Sequence, residues 1–368
     1  MSDSLTIESG ISIRPAALAD LDALLELDTA VFGTMAYPRF VVRQFLDVYR
    51  SCWLIAQGPT GMRGYALAVP AVDGTCAWLF GLGVREEFRH MGCGRLLTVE
   101  ALALLRKLEV PVARLTVEPE NIRAIALYAD LGFTVTEHAM DYLGPGEHRT
   151  VMAVTGARVT GQWEWGGDSR TSDSTAASAP EPERISGAEP GIGSVAALEP
   201  AAGVVFRLAA VADLDQITEV DGAVFGDMEY PYFVLRQLYD VCTGLCVVAE
   251  VDGVVRGYAL AAVEPFQRTA WLLGLAVLPE HRGAGHGAEL LGRVLDLCGK
   301  VPVDLVKITV RPTNQSAYRI YAAAGFEEVD GDMEEACFGH GEPRSVLVKT
   351  LTDPARSEGG PTARGQGE

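Results

Sequence analysis

The chain has 368 residues, with 49 acidic against 30 basic side chains and a formal net charge of −19. That balance argues against a nucleic-acid or anionic-membrane partner, because counterion release needs basic patches the sequence lacks, and it favours a small cationic molecule. No run of eighteen apolar residues and no basic-apolar leader is present, so no membrane span or export signal is expected; seven cysteines scattered without ligand spacing read as reduced thiols of a cytoplasmic protein.

In chain order, Ile11 to Arg14 reads as an opening strand, and Asp20 marks a helix start. Trp53 to Gln57 and Gly64 to Val69 form a hairpin-like strand pair, followed by a strand from Trp78 to Val84. A helix from Gly94 to Leu108, a strand from Ala113 to Val117 and a helix from Ile122 to Leu131 come next. Gly156 to Gly203 is rich in Gly, Ala, Ser, Pro and acidic residues, a linker composition. As a random coil it reaches roughly 35 to 42 Å and hardly restricts the domains it joins. Trp163 and Trp165 stand out in it, as a docking point on a domain or as a partner-binding patch. The same order then returns, with Asp213 at the helix start and a strand from Trp271 to Val277. Leu290, Leu291, Val294, Leu295 and Cys298 make one apolar stripe of a helix. The tail from Asp353 to Glu368 has linker composition and is expected to be disordered.

The return has a constant register of 193 residues. Ala30 to Gly33 recurs as Ala223 to Gly226, Arg63 to Ala68 as Arg256 to Ala261, and Asn121, Tyr128, Gly132 and Phe133 as Asn314, Tyr321, Gly325 and Phe326. Two copies of one α/β fold are implied, over 11–155 and 204–352, joined by 156–203 and followed by the tail. Each copy, of about 145 residues, is large enough for its own core.

Two motifs carry chemistry. After the strand, Arg89-His90-Met91-Gly92-Cys93-Gly94 leads into a helix, and Arg282-Gly283-Ala284-Gly285-His286-Gly287 does so in the second copy. Glycines there let backbone N–H groups face an anion at a helix N-terminus, which suits a phosphate or pyrophosphate. A plain tight turn gives the same pattern, and neither dinucleotide nor P-loop spacing is met. The second motif runs from Asn121 to Phe133 and from Asn314 to Phe326, with the asparagine and tyrosine two helical turns apart on one face.

Both motifs, in order, in both copies, resemble the GNAT superfamily of acyl-CoA-dependent N-acetyltransferases. The resemblance implies two tandem domains, each a mixed, mostly antiparallel sheet flanked by helices. The two-domain layout is similar to mycothiol-synthase-like and antibiotic-pathway tandem acetyltransferases. It implies acetyl-CoA as cofactor, its pantetheine arm on the backbone of Leu82 and Val84, or Leu275 and Val277. The pyrophosphate would lie on Arg89 through Arg95, or Arg282 through Ala288, with Asn121 and Asn314 also at the cofactor. Tyr128 and Tyr321 match the family's general acid, which protonates the departing thiolate after direct attack by a primary amine; as bare residues they also read as core aromatics before a helix end.

The family's base does not carry over. Enzymes that acetylate ribosomal-protein N termini place a glutamate where this chain has Thr116 and Thr309. Candidates are Glu26, Asp28, Glu219, Asp221, Glu229, Asp332 and Glu334, each of which also reads as a solvated surface charge. Tyr37-Pro38 through Gln44, with Arg43, and Tyr230-Pro231 through Gln237, with Arg236, lie where the family builds its acceptor pocket; helix-start structure plus core explains the same recurrence. No histidines or cysteines have metal-ligand spacing, so no metal is expected. The expected activity is acetyl transfer to a small cationic amine, by a monomer or homodimer, with the second copy as the main catalytic half because Pro279-Glu280 and Arg282-Gly283 are nearer the family form. A protein N-terminal or lysine acetyltransferase is the alternative enzyme, and an acyl-CoA sensor with inert domains the alternative of another class.

Overall fold

The structure, a computed structural model, describes residues 6–7, 10–159, 162–164, 203–329 and 343–351. The first half runs β1 (Thr6–Ile7), β2 (Ile11–Pro15), α1 (Leu21–Phe32), α2 (Arg39–Tyr49), β3 (Trp53–Gly58), β4 (Gly61–Pro70), β5 (Ala77–Val84), α3 (Cys93–Lys107), β6 (Val112–Val117), α4 (Ile122–Asp130), β7 (Thr134–Ala139) and β8 (Arg149–Thr155). A two-stranded ribbon follows, β9 (Ala157–Val159) with β10 (Gln162–Glu164), inside the segment whose composition reads as linker. Trp165 lies outside the described residues. The second half repeats the order as β11 (Val204–Leu208), α5 (Leu214–Phe225), α6 (Tyr232–Val241), β12 (Cys246–Val251), β13 (Val254–Glu264), β14 (Thr269–Val277), α7 (His286–Cys298), β15 (Leu305–Val310), α8 (Gln315–Ala323), β16 (Glu327–Glu328) and β17 (Ser345–Thr350).

Local chemistry sets the element ends, and it does so twice. Asp20 accepts the Ala17 N–H at 2.8 Å and binds the Arg14 guanidinium through two bonds of 2.7 Å, which ties the strand β2 to the start of α1. Asp213 does the same with Ala210 and Arg207. Asn121 and Asn314 cap α4 and α8 by accepting the N–H of Ala124 and Ala317, each at 3.1 Å. At the far end of α4 the N–H of Phe133 returns to Tyr128 O at 3.0 Å and that of Gly132 to Ala129 O at 2.9 Å, with Gly132 left-handed at φ 89°. That is a Schellman cap, and Phe326 and Gly325 repeat it on α8.

The first sheet has the order β1-β2-β3-β4-β5-β6-β8-β7 and the second β11-β12-β13-β14-β15-β17-β16. Every neighbouring pair is antiparallel except β5 with β6 and β14 with β15. Leu97, Ala101, Leu105 and Phe133 belong to a buried cluster on the α3 and α4 face of the first sheet. The cluster on its other face, with Leu24, Phe45 and Trp53, is continuous with the second half's core through Val234, Leu238 and Tyr258.

The halves meet about a pseudo-twofold axis. Tyr37 packs on Phe233 with ring centroids 5.7 Å apart, and the equivalent pair Phe40 and Tyr230 stands at 5.4 Å. The Tyr37 hydroxyl donates to Gln237 Oε1 at 2.8 Å, and the Tyr230 hydroxyl to Gln44 Oε1 at 2.6 Å. The Tyr49 hydroxyl and Cys242 Sγ, themselves 193 residues apart in sequence, touch each other at 3.7 Å, which places both on the axis. Tyr142 adds a further contact between the halves, donating to Asp240 at 2.7 Å beneath the Arg236 guanidinium. An isologous contact uses the same surface from both partners, and a duplicated chain supplies it intramolecularly.

Candidate active site

A β-bulge opens the site. In the β4 and β5 ladder Leu67 faces Gly81 and Ala68 faces Leu79, leaving Phe80 as the extra residue; in β13 and β14 the extra residue is Leu273. Such an insertion bends its strand away from the regular ladder. On the other side β5 pairs with the parallel β6 only from Ala77 to Leu79, and β14 with β15 only as far as Leu272. Beyond the bulge the parallel strands part. The backbone from Phe80 to Val84, and from Leu273 to Val277, therefore has no strand partner among the described residues on the side facing the gap.

The glycine loop closes the same end. Arg89 Nε donates to Val84 O at 3.3 Å and Arg282 Nε to Val277 O at 2.9 Å, so the recurring arginine clamps its loop onto the strand it leaves. His90 and Gly92 are left-handed at φ 64° and 79°, as are Gly283 and Gly285 at 83° and 87°. A Cβ added at Gly92, Gly283 or Gly285 would meet nothing within 4 Å, so backbone conformation is what demands glycine, and open space lies in front of each. The helices α3 and α7 begin directly afterwards, with Gly92 and Gly285 as their N-caps.

In the first half these features border a cleft of about 700 Å³. Leu82, Val84, Arg89, His90, Gly92, Cys93, Gly94, Arg95, Asn121, Tyr128 and Tyr37 all line it. Met91 is 61% exposed and is not among its walls, nor is Arg43, whose guanidinium pairs with Asp47 at 3.0 Å. In the second half Leu275, Val277, Arg282, Gly283, Ala284, Gly285, His286, Gly287, Ala288, Asn314 and Tyr321 take the matching places on strand, loop and helix. Arg236 is paired with Asp240 at 3.0 Å, as Arg43 is with Asp47.

Tyr128 and Tyr321 are buried, and burial pushes both phenols above their ordinary range, so each stays protonated at neutral pH. Their rings sit edge-on against Phe133 and Phe326 at 5.7 and 5.8 Å. Asn121 spends its Oδ1 on the helix cap, which leaves its Nδ2 for the cleft.

The carboxylates correct the sequence reading. Asp28 and Asp221, read above as solvated, are fully buried at 1% and 0% exposure. Asp28 accepts the Tyr65 O–H and, at 2.6 Å, the Tyr37 N–H; Asp221 accepts the Tyr258 O–H and, at 2.5 Å, the Tyr230 N–H. Desolvation outweighs these bonds and raises each carboxyl to about 6. Asp28 lines the cleft, with Tyr65 directly under the strand: a Cβ on Gly81 would stand 2.9 Å from the Tyr65 oxygen. Glu26 is bound to Arg85 at 2.8 Å, Glu219 and Glu229 are exposed, and Asp332 and Glu334 lie outside the described residues. Glu118, Arg123 and Arg149 also line the cleft and were not singled out from the sequence, whereas Phe233 and Gln237, which line it too, belong to the segment read there as acceptor pocket or helix start. For Asp28 and Tyr65 the signal was available, since both recur 193 residues on as Asp221 and Tyr258.

Residues 21–133 and 212–326 both match the acetyltransferase (GNAT) family. The chain belongs to the GNAT family. An N-alpha-acetyltransferase of Sulfurisphaera tokodaii is 28% identical over 134 residues, 33% of this chain and 80% of that protein. An L-2,4-diaminobutyric acid acetyltransferase of Nocardia farcinica is 33% identical over 81 residues, 22% of this chain and 42% of its own. Among solved structures, the PaiA N-acetyltransferase from Thermoplasma acidophilum, in complex with coenzyme A, is 18% identical with a TM-score of 0.33, covering 40% of this chain and 99% of that one. The two sheets are thus two GNAT units in tandem, each mixed, mostly antiparallel and flanked by helices. No helix among the described residues is long and apolar enough to cross a membrane.

Proposed function

We propose that this GNAT acetyltransferase binds acetyl-CoA in each unit and transfers the acetyl group to a primary amine of a small cationic molecule. The observation that carries the reading is the convergence, in one cleft, of an unpaired strand edge, a left-handed glycine loop at a helix N-terminus and a buried tyrosine. Leu82 and Val84, or Leu275 and Val277, would pair their free backbone groups with the amide-bearing arm, and the loops would hold the pyrophosphate on backbone N–H groups. Bound acetyl-CoA supplies an activated acyl thioester. Tyr128 and Tyr321 hold the proton that a thiolate leaving group needs, and Asp28 and Glu118 are the carboxylates at the first cleft that can take one from the amine.

Two features support a small acceptor. The cleft wall includes Phe233 and Gln237 of the other half, which narrows the room for a polypeptide. The net charge of −19 draws cations. The N-alpha-acetyltransferase among the relatives keeps peptide N termini as the second reading. Calorimetry with acetyl-CoA tests the cofactor sites: Gly92→Asp with Gly285→Asp puts a side chain and a negative charge in front of both loops and is expected to abolish binding, and undiminished binding would sink the assignment. A screen of amines, aminoglycosides and short peptides for CoA release tests the acceptor, and turnover on peptides alone would promote the second reading. With the acceptor in hand, Tyr128→Phe and Tyr321→Phe are expected to lower kcat by about 10² to 10⁴ while acetyl-CoA affinity persists. The costlier of the two identifies the main catalytic half.

A further inference from the structure

We infer that each acceptor site is built jointly by both halves, with Gln237 of the second half as a positioning residue for the first site and Gln44 of the first half for the second. The inference rests on the proposed acetyl transfer and concerns which residues shape its acceptor end. Gln237 stands on α6, yet both of its side-chain hydrogen bonds cross to the other half: Nε2 donates to Phe80 O at 3.1 Å, and Oε1 accepts the Tyr37 O–H at 2.8 Å. Phe80 is the bulge residue at which β5 leaves β6.

A carbonyl at a bulge has lost its regular ladder donor and, once buried, needs another. Tyr37 approaches Phe80 O only at 3.5 Å, the outer limit of a hydrogen bond, so Gln237 is the better-placed donor. Phe80, Tyr37, Phe233 and Gln237 all line the first cleft. The second site shows the reciprocal arrangement, less completely. The Tyr230 hydroxyl donates to Gln44 Oε1 at 2.6 Å and lies 3.2 Å from Leu273 O, the other bulge carbonyl. A glutamine that served only its own domain's fold would bond within that domain. Gln237 instead fixes the point where the opposite cleft opens, and the tyrosine whose backbone N–H is held by Asp28.

The test uses full-length protein in two backgrounds, Gly285→Asp, which leaves only the first loop intact, and Gly92→Asp, which leaves only the second. CoA release from acetyl-CoA is followed with spermidine as the acceptor and, separately, with water as the only acceptor. In the Gly285→Asp background, Gln237→Leu is expected to lower kcat/KM for spermidine about ten-fold or more, and by more than Gln44→Leu does, with the acetyl-CoA Kd held within about two-fold. In the Gly92→Asp background the ranking reverses. Gln237→Met, close in length but unable to make either bond, guards against misfolding of the leucine variant and is expected to reproduce the loss in protein that melts like its parent. If each glutamine chiefly lowers turnover in its own half, or if only the melting temperature moves, the joint site is refuted. If spermidine is not used, the ranking is read from release to water. If neither background releases CoA, the transfer reaction fails first and the inference with it.

Discussion

Asp28 and Asp221 show how one buried residue couples fold to pH. Each carboxyl has its pKa raised to about 6 from an ordinary 3.8, chiefly because burial penalises the charged form. An acid whose folded pKa lies above its unfolded one binds protons more tightly in the native state, so its contribution is fully present below the unfolded value and is lost as pH rises through the folded value. The window is therefore about pH 4 to 6, and a shift of roughly two units corresponds to about 3 kcal/mol. Asp28→Asn removes the titration, keeps an acceptor for Tyr65 and sets an amide against the Tyr37 N–H. Its cost in urea denaturation is expected to be greatest near pH 4 and to shrink by up to about 3 kcal/mol by pH 7.5; a cost independent of pH would show that Asp28 does not titrate in this window.

At the scale of the element, the loop before α3 and α7 needs left-handed backbone at two positions, and the halves meet the need differently. The second uses Gly283 and Gly285, whereas the first uses His90 and Gly92. A side chain in that region costs roughly 1–2 kcal/mol, and glycine costs about 0.5–1 kcal/mol in unfolded-state entropy. His90→Gly should therefore be neutral or stabilising by up to about 1 kcal/mol, while His90→Val should destabilise, because β-branching makes positive φ worse. Denaturant melts of the two variants check this, and a clear loss with glycine would mean that the imidazole makes a contact worth more than the strain. The clamp from Arg89 to Val84 O is part of the same element and explains why arginine recurs there without invoking a phosphate.

At the scale of the whole molecule, the contact between the halves is expected to hold them together without the linker. Tyr37, Phe40, Tyr230 and Phe233 are 3–6% exposed at their contact, and burying a large ring stabilises by about 1.5–3 kcal/mol. Four such rings, two crossed tyrosine–glutamine bonds and the Tyr142–Asp240 bond act together. A chain cleaved once between residues 165 and 202 is expected to remain one particle in size-exclusion chromatography and to keep its acetyl-CoA affinity. Separate elution of two fragments would show that the contact depends on the tether. The halves expressed alone would expose these rings and should aggregate or self-associate.

Within each half, sequence alone was enough for the duplication, the order of the elements and the placement of loop, asparagine and tyrosine, because these depend on spacing, glycine conformation and helix caps a few residues apart. Asn121 capping α4 and the Schellman turn at Gly132 are local events of that kind. Burial was not legible in the same way. Asp28 reads as a surface charge until α1 is laid against β4, and its partner Tyr65 lies 37 residues along the chain. The segment from Tyr37 to Gln44 recurs as Tyr230 to Gln237, and recurrence alone served an acceptor pocket or a helix start equally well. An isologous contact needs the same residues on both faces, so the repetition fits an interface too, but only the docked sheets show that Gln237 reaches Phe80, 157 residues away. A linker of that composition leaves the relative placement of the halves free, and the tertiary packing of α2 and α6 across the axis decided it.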